Sequence, residues 1–331
     1  MQQPKYILIR LPNWLGDMVM STSLVKAVAA QYPGARIDLV AKKGIDFLLD
    51  YFPPHGKSYI FSKESSKGLQ GAWRFGKDIR QQQPYDLFIC LPDSFSSAVM
   101  GKAIGAKTSI GYKKELRSVL FTQTFRKKNG LHRVEEYVDL LRQYLQKDIP
   151  VPPVQLHAPS PGKERRLVIN INSEAVSRRL PVSKAISLVN TVRQQITEEI
   201  ILVGSPKEKP FVDEVFAGLQ STKNIRNAAG DTGLADLIRL LGSTSTVLTT
   251  DSGPAHVANA LGAFTIVLFG AGNEKNTAPY NAADRRIIRL GQLPCEPCVS
   301  NTCKIYGTPE CLVRLDEQYI TQSVKEALQR S

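Results

Sequence analysis

The chain has 331 residues, 42% hydrophobic and 22% charged, the composition of a globular protein of roughly two domains rather than a disordered or fibrous chain. No run approaches the roughly 20 apolar residues of a membrane span, and Met1-Gln2-Gln3-Pro4-Lys5 lacks the zones of a secretory leader, so a cytoplasmic location is expected. The net charge of +13 is unevenly placed: residues 1–162 hold 23 Lys and Arg against 13 Asp and Glu, whereas residues 163–331 hold 20 against 17.

In chain order, residues 6–11, 37–41, 58–61, 87–91 and 108–111 have the short apolar pattern of buried strands. Residues 17–31, 69–83, 95–104 and 134–145 have helical spacing. Pro150, Pro152, Pro153, Pro159, Pro161 and Gly162 then mark an irregular linker, which divides the chain into domains 1–155 and 156–331. After it the alternation restarts. Residues 167–171, 200–203, 247–250 and 265–269 read as strands, and residues 182–195, 209–219, 234–241 and 255–261 as helices. Two successive β-α-β series predict an α/β protein of two Rossmann-like parallel-sheet domains facing across a cleft. A last helix, 317–329, fits either domain. No internal repeat or low-complexity tract is present.

The first strand runs into Arg10-Leu11-Pro12-Asn13-Trp14-Leu15-Gly16-Asp17. Asp17 is either a cap or first-turn acid of the next helix, or a carboxylate placed to take a proton from a hydroxyl; both can hold. The densest basic cluster, Lys113, Lys114, Arg117, Arg126, Lys127 and Lys128, is opposed in sequence only by Glu115. It reads as a solvated face or as a site for an anionic membrane surface or acidic glycolipid. Nucleic acid is not expected, since no helix-turn-helix, zinc-finger or RNA-recognition pattern accompanies the charge.

In the second half, a strand ends at Asn170-Ile171-Asn172-Ser173 and continues to Ser177-Arg178-Arg179-Leu180-Pro181. Ser173 and Ser177 offer hydroxyls, and Arg178 and Arg179 offer guanidinium forks that match phosphate. Glu208 follows the next strand, where an acid can accept from ribose hydroxyls or complement a helix start. The most informative segment is Thr249-Thr250-Asp251-Ser252-Gly253-Pro254-Ala255-His256: strand, Gly turn, helix. A helix start there suits a diphosphate, and an acid in such a turn fits a hydroxyl-rich group beside it, as in a sugar nucleotide. His256 is a hydrogen-bonded structural residue or part of the same ligand turn. Phe269-Gly270-Ala271-Gly272-Asn273 fails as a dinucleotide fingerprint because Lys275 replaces the third Gly. With no Asp-x-Asp, a diphosphate leaving group would be stabilised by basic side chains and a helix dipole rather than by a carboxylate-bound metal. Cys295, Cys298, Cys303 and Cys311 crowd a short segment, as structural zinc ligands or as reduced thiols. Cys90 lies in an apolar run and reads as core.

These segments, in this order, resemble the ADP-heptose:lipopolysaccharide heptosyltransferases, inverting glycosyltransferases with the GT-B fold. The residues from Ile7 to Asp17 and the Cys-rich tail look most like the heptosyltransferase II branch, and Asp251-Ser252-Gly253-Pro254-Ala255-His256 matches the family's donor pattern. The resemblance implies heptose transfer from ADP-L-glycero-D-manno-heptose to the lipopolysaccharide inner core, with no cofactor. It implies Asp17 as general base and Asp251 on the donor hydroxyls, with Ser252, Gly253 and His256 lining that turn. Arg178 or Arg179 would meet the diphosphate, and Glu208 the ribose. Leu180 stands where the family commonly has Trp before the Pro, and the loop before it lacks a common Gly. Lys113, Lys114 and Arg117 would face a lipid-anchored acceptor at the inner-membrane surface. The alternatives are a GT-B transferase or epimerase for another nucleotide sugar, or a non-catalytic nucleotide- or glycolipid-binding protein.

Overall fold

The computed structural model describes residues 3–159, 162–231 and 233–330; Met1, Gln2 and Pro161 of the preceding reading lie outside them. The chain divides into two units, one up to His157 and one from Ala158 on. The first contains β1 (Tyr6–Arg10), α1 (Leu15–Met20), α2 (Thr22–Gln31), β2 (Arg36–Lys42), β3 (Ser58–Phe61), α3 (Gly68–Gln82), β4 (Leu87–Cys90), α4 (Phe95–Ile104), β5 (Thr108–Tyr112), β6 (Gln123–Phe125) and α5 (Arg133–Leu145). Its sheet has the order β3-β2-β1-β4-β5-β6, and every strand pair is parallel. Parallel strands are covered by helices on both faces. That is why β1 is buried from Ile7 onward and β4 throughout, and why both read as apolar runs.

The second unit contains β7 (Glu164–Asn170), α6 (Val182–Gln195), β8 (Ile200–Leu202), α7 (Lys209–Ala217), β9 (Ile225–Asn227), α8 (Leu234–Ser243), β10 (Thr244–Thr250), α9 (Gly253–Ala260), β11 (Phe264–Phe269), α10 (Glu274–Thr277), β12 (Arg285–Arg289), α11 (Glu310–Val313) and α12 (Glu317–Gln329). Its parallel sheet has the order β12-β11-β10-β7-β8-β9, which repeats the order of the first unit. Helix α12 packs on this unit: Ile320, Val324, Ala327 and Leu328 join the core formed by Leu167, Ile169, Leu188 and Leu248. Burying side chains of this size contributes about 1.5–3 kcal/mol each.

The structure adds elements that periodicity does not reveal. Strands β6, β9 and β12 lie at or beside sheet edges, and two of them have three residues, too short for a pattern. The expected helix over 17–31 is two segments, α1 and α2, broken at Ser21, whose hydroxyl donates to Met18 O at 2.6 Å. Strand β10 begins three residues earlier than its apolar run because Thr244, Ser245 and Thr246 are buried; Thr244 donates to Leu240 O at 2.6 Å. Residues 149–156 of the proline-rich segment are tied to α2 and the core. Ser23 donates to Pro152 O at 2.6 Å, and the Gln155 N–H to Thr22 Oγ1 at 3.2 Å, while Ile149, Val154 and Leu156 are buried.

Helices α3 and α4 approach closely at Gly76, where a Cβ would stand 2.5 Å from Met100 O and 2.8 Å from Ala103 Cβ. Alanine is the better helix former by about 1 kcal/mol, but the clash outweighs this. Gly76→Ala is expected to lower stability by about 1–3 kcal/mol, read as a lower urea midpoint at unchanged slope. An unchanged or higher midpoint would refute the close-contact argument.

Candidate active site

In each sheet the order reverses between the first and fourth strands, and the crevice beyond their C-terminal ends is where open α/β sheets hold ligands. In the first unit that point lies between β1 and β4. The turn after β1 is pinned by Arg10, whose buried guanidinium donates to Leu11 O at 2.7 Å, Val40 O at 3.2 Å and Asn13 Oδ1 at 2.6 Å. Trp14 is the N-cap of α1 and Asp17 its first-turn acid. Of the two helix-start roles open to Asp17, the structure assigns the second.

Asp17 is half-buried. Tyr137 on α5 donates to its Oδ1 at 3.1 Å, and Arg133 Nε stands 3.5 Å from the same oxygen. Burial raises the pKa of Asp17; Arg133 and the Tyr137 hydrogen bond pull it down, Glu136 adds to the rise and Lys127 opposes it. The charges continue in alternation. Arg133 pairs with Glu136 at 2.9 Å, Lys127 bridges Glu136 and Asp93 at 2.7 Å each, and Arg117 meets Asp93 at 3.2 Å.

This arrangement corrects the reading of the basic cluster. Arg117 is 2% exposed, with its guanidinium 5.1 Å from the Phe121 ring centroid. It holds β4 and its loop and is not available to an outside anion. Lys127 and Lys128 are held by Asp93, Glu136 and Asp139, which come from other segments. Lys113 and Lys114 are exposed, beside the turn Glu115–Leu120, whose Leu116 and Val119 are each 79% exposed.

In the second unit the reversal lies between β7 and β10. Hydrogen bonds tie the two strand ends together. Asn170 Nδ2 donates to Thr249 Oγ1 at 3.1 Å and to Ser252 Oγ at 2.9 Å, and Thr250 Oγ1 donates to Asn172 O at 2.5 Å. Ser252 is the N-cap of α9, but its side chain does not cap the helix; it donates to Thr250 O at 3.1 Å. The Gly253 N–H is therefore not used by that hydroxyl, while Pro254 has no N–H and the Ala255 N–H donates to Ser252 O at 3.2 Å. His256 and Ser173 are buried in the same region, and Ser173 donates to Asp251 O at 3.5 Å.

Asp251 is 5% exposed. Arg178 Nη1 stands 3.1 Å from its Oδ2, a contact without hydrogen-bond alignment, so Oδ2 has no hydrogen-bond partner among the described residues. Burial raises the pKa of Asp251, and Arg178 and then Arg289 oppose the rise. A buried carboxylate oxygen without a hydrogen bond is costly and suits a ligand that donates hydroxyls. Gly272 is needed here, since a Cβ would stand 2.0 Å from Asp251 Oδ2. Arg289 on β12 donates to Gly272 O and pairs with Glu274 at 2.9 Å and Glu296 at 3.2 Å.

The structure separates the two candidate arginines. Arg178 meets Asp251, while Arg179 lies 4.8 Å from the centroid of the Phe211 ring. Leu180 is buried in the core. Glu208 is the N-cap of α7 and accepts from the Ser205 N–H at 2.8 Å. Cys90 is buried, as its apolar run implies. Cys295, Cys298, Cys303 and Cys311 are free thiols, and burial, reinforced by Glu296, Cys298 and Cys303, pushes Cys311 up to about 11. Tyr137, Arg133, Asn170, Gly272 and Arg289 escaped the sequence reading. Only Arg133 and Tyr137 carried a local signal, the i,i+4 spacing that puts both on one helix face.

Two parallel sheets of this order, one in each unit, have the architecture of GT-B proteins. The family model for glycosyltransferase family 9 (heptosyltransferase) matches residues 72–308. Lipooligosaccharide heptosyltransferase 2 of Haemophilus influenzae is 30% identical over 310 residues, 86% of this chain and 88% of that protein. Lipopolysaccharide heptosyltransferase 2 of Salmonella typhimurium is 28% identical over 307 residues, with the same coverage. The solved structure of E. coli ADP-heptose LPS heptosyltransferase II superposes with a TM-score of 0.81 at 25% identity, covering 98% of this chain and 99% of that one. A family 9 glycosyltransferase from Veillonella parvula shares the fold at a TM-score of 0.85 and 18% identity. The chain belongs to glycosyltransferase family 9, the heptosyltransferases.

Because burial raises the pKa of Asp17, its ionisation costs the fold. The stability tied to its protonated form is full below the ordinary carboxylate value of about 3.9 and is lost as pH rises through the raised folded value. Asp17→Asn stays neutral. It is expected to melt at a higher temperature than wild type at neutral pH, with the gap shrinking as pH falls toward the carboxylate range. A variant that melts lower at neutral pH would show that the Arg133 and Tyr137 contacts outweigh desolvation.

Proposed function

We propose that this glycosyltransferase moves a heptose from ADP-L-glycero-D-manno-heptose to a sugar of the lipopolysaccharide inner core, inverting the anomeric centre in one displacement. The observation that carries the reading is Asp251: a buried carboxylate with an oxygen free of hydrogen bonds, beside Arg178 at the start of α9. The relatives' names, lipopolysaccharide and lipooligosaccharide heptosyltransferase 2, support the donor and acceptor class.

In this reading Asp251 accepts from heptose hydroxyls, and Arg178 with the Gly253 N–H and the dipole of α9 takes up charge on the leaving diphosphate. Ser173, Ser252, Gly253 and His256 line the donor turn, and Arg179 holds the loop by stacking on Phe211. Glu208 accepts from the Ser205 N–H through Oε2, and its Oε1 is the atom that would accept from a ribose hydroxyl. Asp17 takes the proton of the acceptor hydroxyl as that oxygen attacks. Burial moves Asp17 toward the operating pH, which favours a general base, while Arg133 and Tyr137 hold its carboxylate in place. No metal or cofactor takes part.

Lys113 and Lys114 with Leu116 and Val119 form a basic, apolar-tipped surface suited to the anionic cytoplasmic face of the membrane that carries the acceptor. Among the described residues no helix is long and apolar enough to cross a membrane, so the contact would be peripheral.

The direct test is the mass of the product after incubation with ADP-heptose and a heptose-deficient lipopolysaccharide. Addition of one heptose is expected; no transfer from this donor, with transfer from another nucleotide sugar, would overturn the substrate. Asp17→Asn is expected to lower turnover by about 100-fold or more while ADP binds as in wild type. Near-normal turnover would remove Asp17 as the base. Asp251→Ala is expected to weaken ADP-heptose more than ADP, whereas equal weakening would assign Asp251 a structural role.

A further inference from the structure

An acceptor whose hydroxyl meets Asp17 must be held by neighbouring side chains. Arg133 and Tyr137 are engaged in holding Asp17, and Arg10 in holding its turn. Two large aromatic side chains stand exposed on the turns that flank this position. Trp14 follows β1 and is 63% exposed; Phe95 follows β4 and is 44% exposed. Strands β1 and β4 are adjacent and end level, with Arg10 opposite Cys90, so both turns open on the crevice at the reversal. Neither aromatic is required by its helix. Trp14 is the N-cap of α1 and makes no side-chain cap, at a position that favours Ser, Thr, Asp or Asn. Phe95 is the first residue of α4, whose cap is Ser94, accepting from the Ser97 N–H at 3.3 Å.

Both turns are tied to the acid. The Met18 N–H donates to Trp14 O at 2.9 Å, closing the first turn of α1, so Trp14 and Asp17 are neighbours three residues apart, about 5–6 Å between Cβ atoms. Asp93, two residues before Phe95, meets Lys127 at 2.7 Å, and Lys127 is near enough to act on the charge of Asp17. Lys42, the last residue of β2, places its ammonium 5.9 Å from the centroid of the Trp14 ring and has no carboxylate partner among the described residues. A pyranose presents C–H groups on its faces and hydroxyls around its rim. The negative face of an aromatic ring attracts those C–H groups, and the rim remains free for polar partners.

We propose that Trp14 and Phe95 are the platform on which the acceptor sugar lies, with Lys42 beside it for an anionic group, carboxylate or phosphate, carried by that sugar or the next. The inference rests on Asp17 as the base that receives the acceptor proton. Stacking fixes which face of the sugar is covered and so which hydroxyl turns toward Asp17. The two aromatics therefore select the acceptor, while donor binding is left to the second unit.

The chain has two tryptophans, Trp14 and Trp73, so Trp73→Phe leaves Trp14 as the indole reporter. Titration of that variant with the lipid-free oligosaccharide of a heptose-deficient lipopolysaccharide is expected to change Trp14 emission with no donor present. Emission moved by vesicles of anionic phospholipid and not by the oligosaccharide would make the aromatics a lipid contact and overturn the proposal. In transfer assays Trp14→Ala and Phe95→Ala are each expected to raise the acceptor KM about tenfold, the size of a lost stacking contact. The KM for ADP-heptose and the pH dependence of kcat stay as in wild type, and Trp14→Phe keeps most of the acceptor affinity. Lys42→Gln is expected to weaken the acceptor and to make its binding less sensitive to salt. A wild-type acceptor KM in either alanine variant, while wild type transfers heptose, overturns the platform and leaves the transferase reading standing. Failure of wild type to bind or extend the oligosaccharide overturns the acceptor reading, and the platform with it.

Discussion

The reversal of strand order in a parallel sheet is the constraint on which both halves of this protein depend. Strands on either side of β1, and again of β7, send their connections to opposite faces of the sheet, so a crevice opens beyond the C-terminal strand ends. Asp17 follows β1, and Asp251 follows β10, the strand beside β7. Neither is placed by its own helix alone. The sheet order sets each turn at such a crevice, and side chains from separate segments surround each acid: Arg133 and Tyr137 from α5 in one unit, Arg178 and Gly272 in the other.

Both carboxylates are held against their own desolvation. Each is raised in pKa by burial and restrained by an arginine, and neither is relieved completely. The two differ in what remains. Asp17 keeps a hydrogen bond from Tyr137 and belongs to a run of alternating charges that continues to Arg117. Asp251 keeps an oxygen with no hydrogen bond and no room for a Cβ at Gly272. The first suits a group that must accept a proton at a set position, the second a group that must receive hydroxyl donors. Separation of roles by environment, with the same side chain in both, is how a fold obtains two chemistries from one residue type.

Charge shows how far sequence counting departs from surface chemistry. The first half carries a large formal excess of Lys and Arg, yet three members of its densest cluster, Arg117, Lys127 and Lys128, are paired with carboxylates of the same unit. Arg117 is buried, and Lys127 and Lys128 face carboxylates drawn from β4's loop and α5. Lys113, Lys114 and Arg126 stay exposed without a carboxylate partner among the described residues, and Lys113 and Lys114 stand beside the exposed Leu116 and Val119.

The sequence determined what depends on local pattern. Apolar runs located the central strands, because a strand covered on both faces is enriched in apolar residues. Helical spacing located α4, α6 and α12 at their observed bounds, and the strand–Gly turn–helix at Asp251 was legible from one segment. Short edge strands such as β6 and β9 escaped, since three residues carry no period, and buried hydroxyls hid the start of β10. Only the tertiary structure decided which arginine meets Asp251, that Arg117 faces inward, that α12 packs on the second unit, and that Ser177 donates to Ser300 O in the Cys-rich segment. Each of these contacts joins residues from separate elements, and such distances are fixed by sheet order and packing rather than by local sequence.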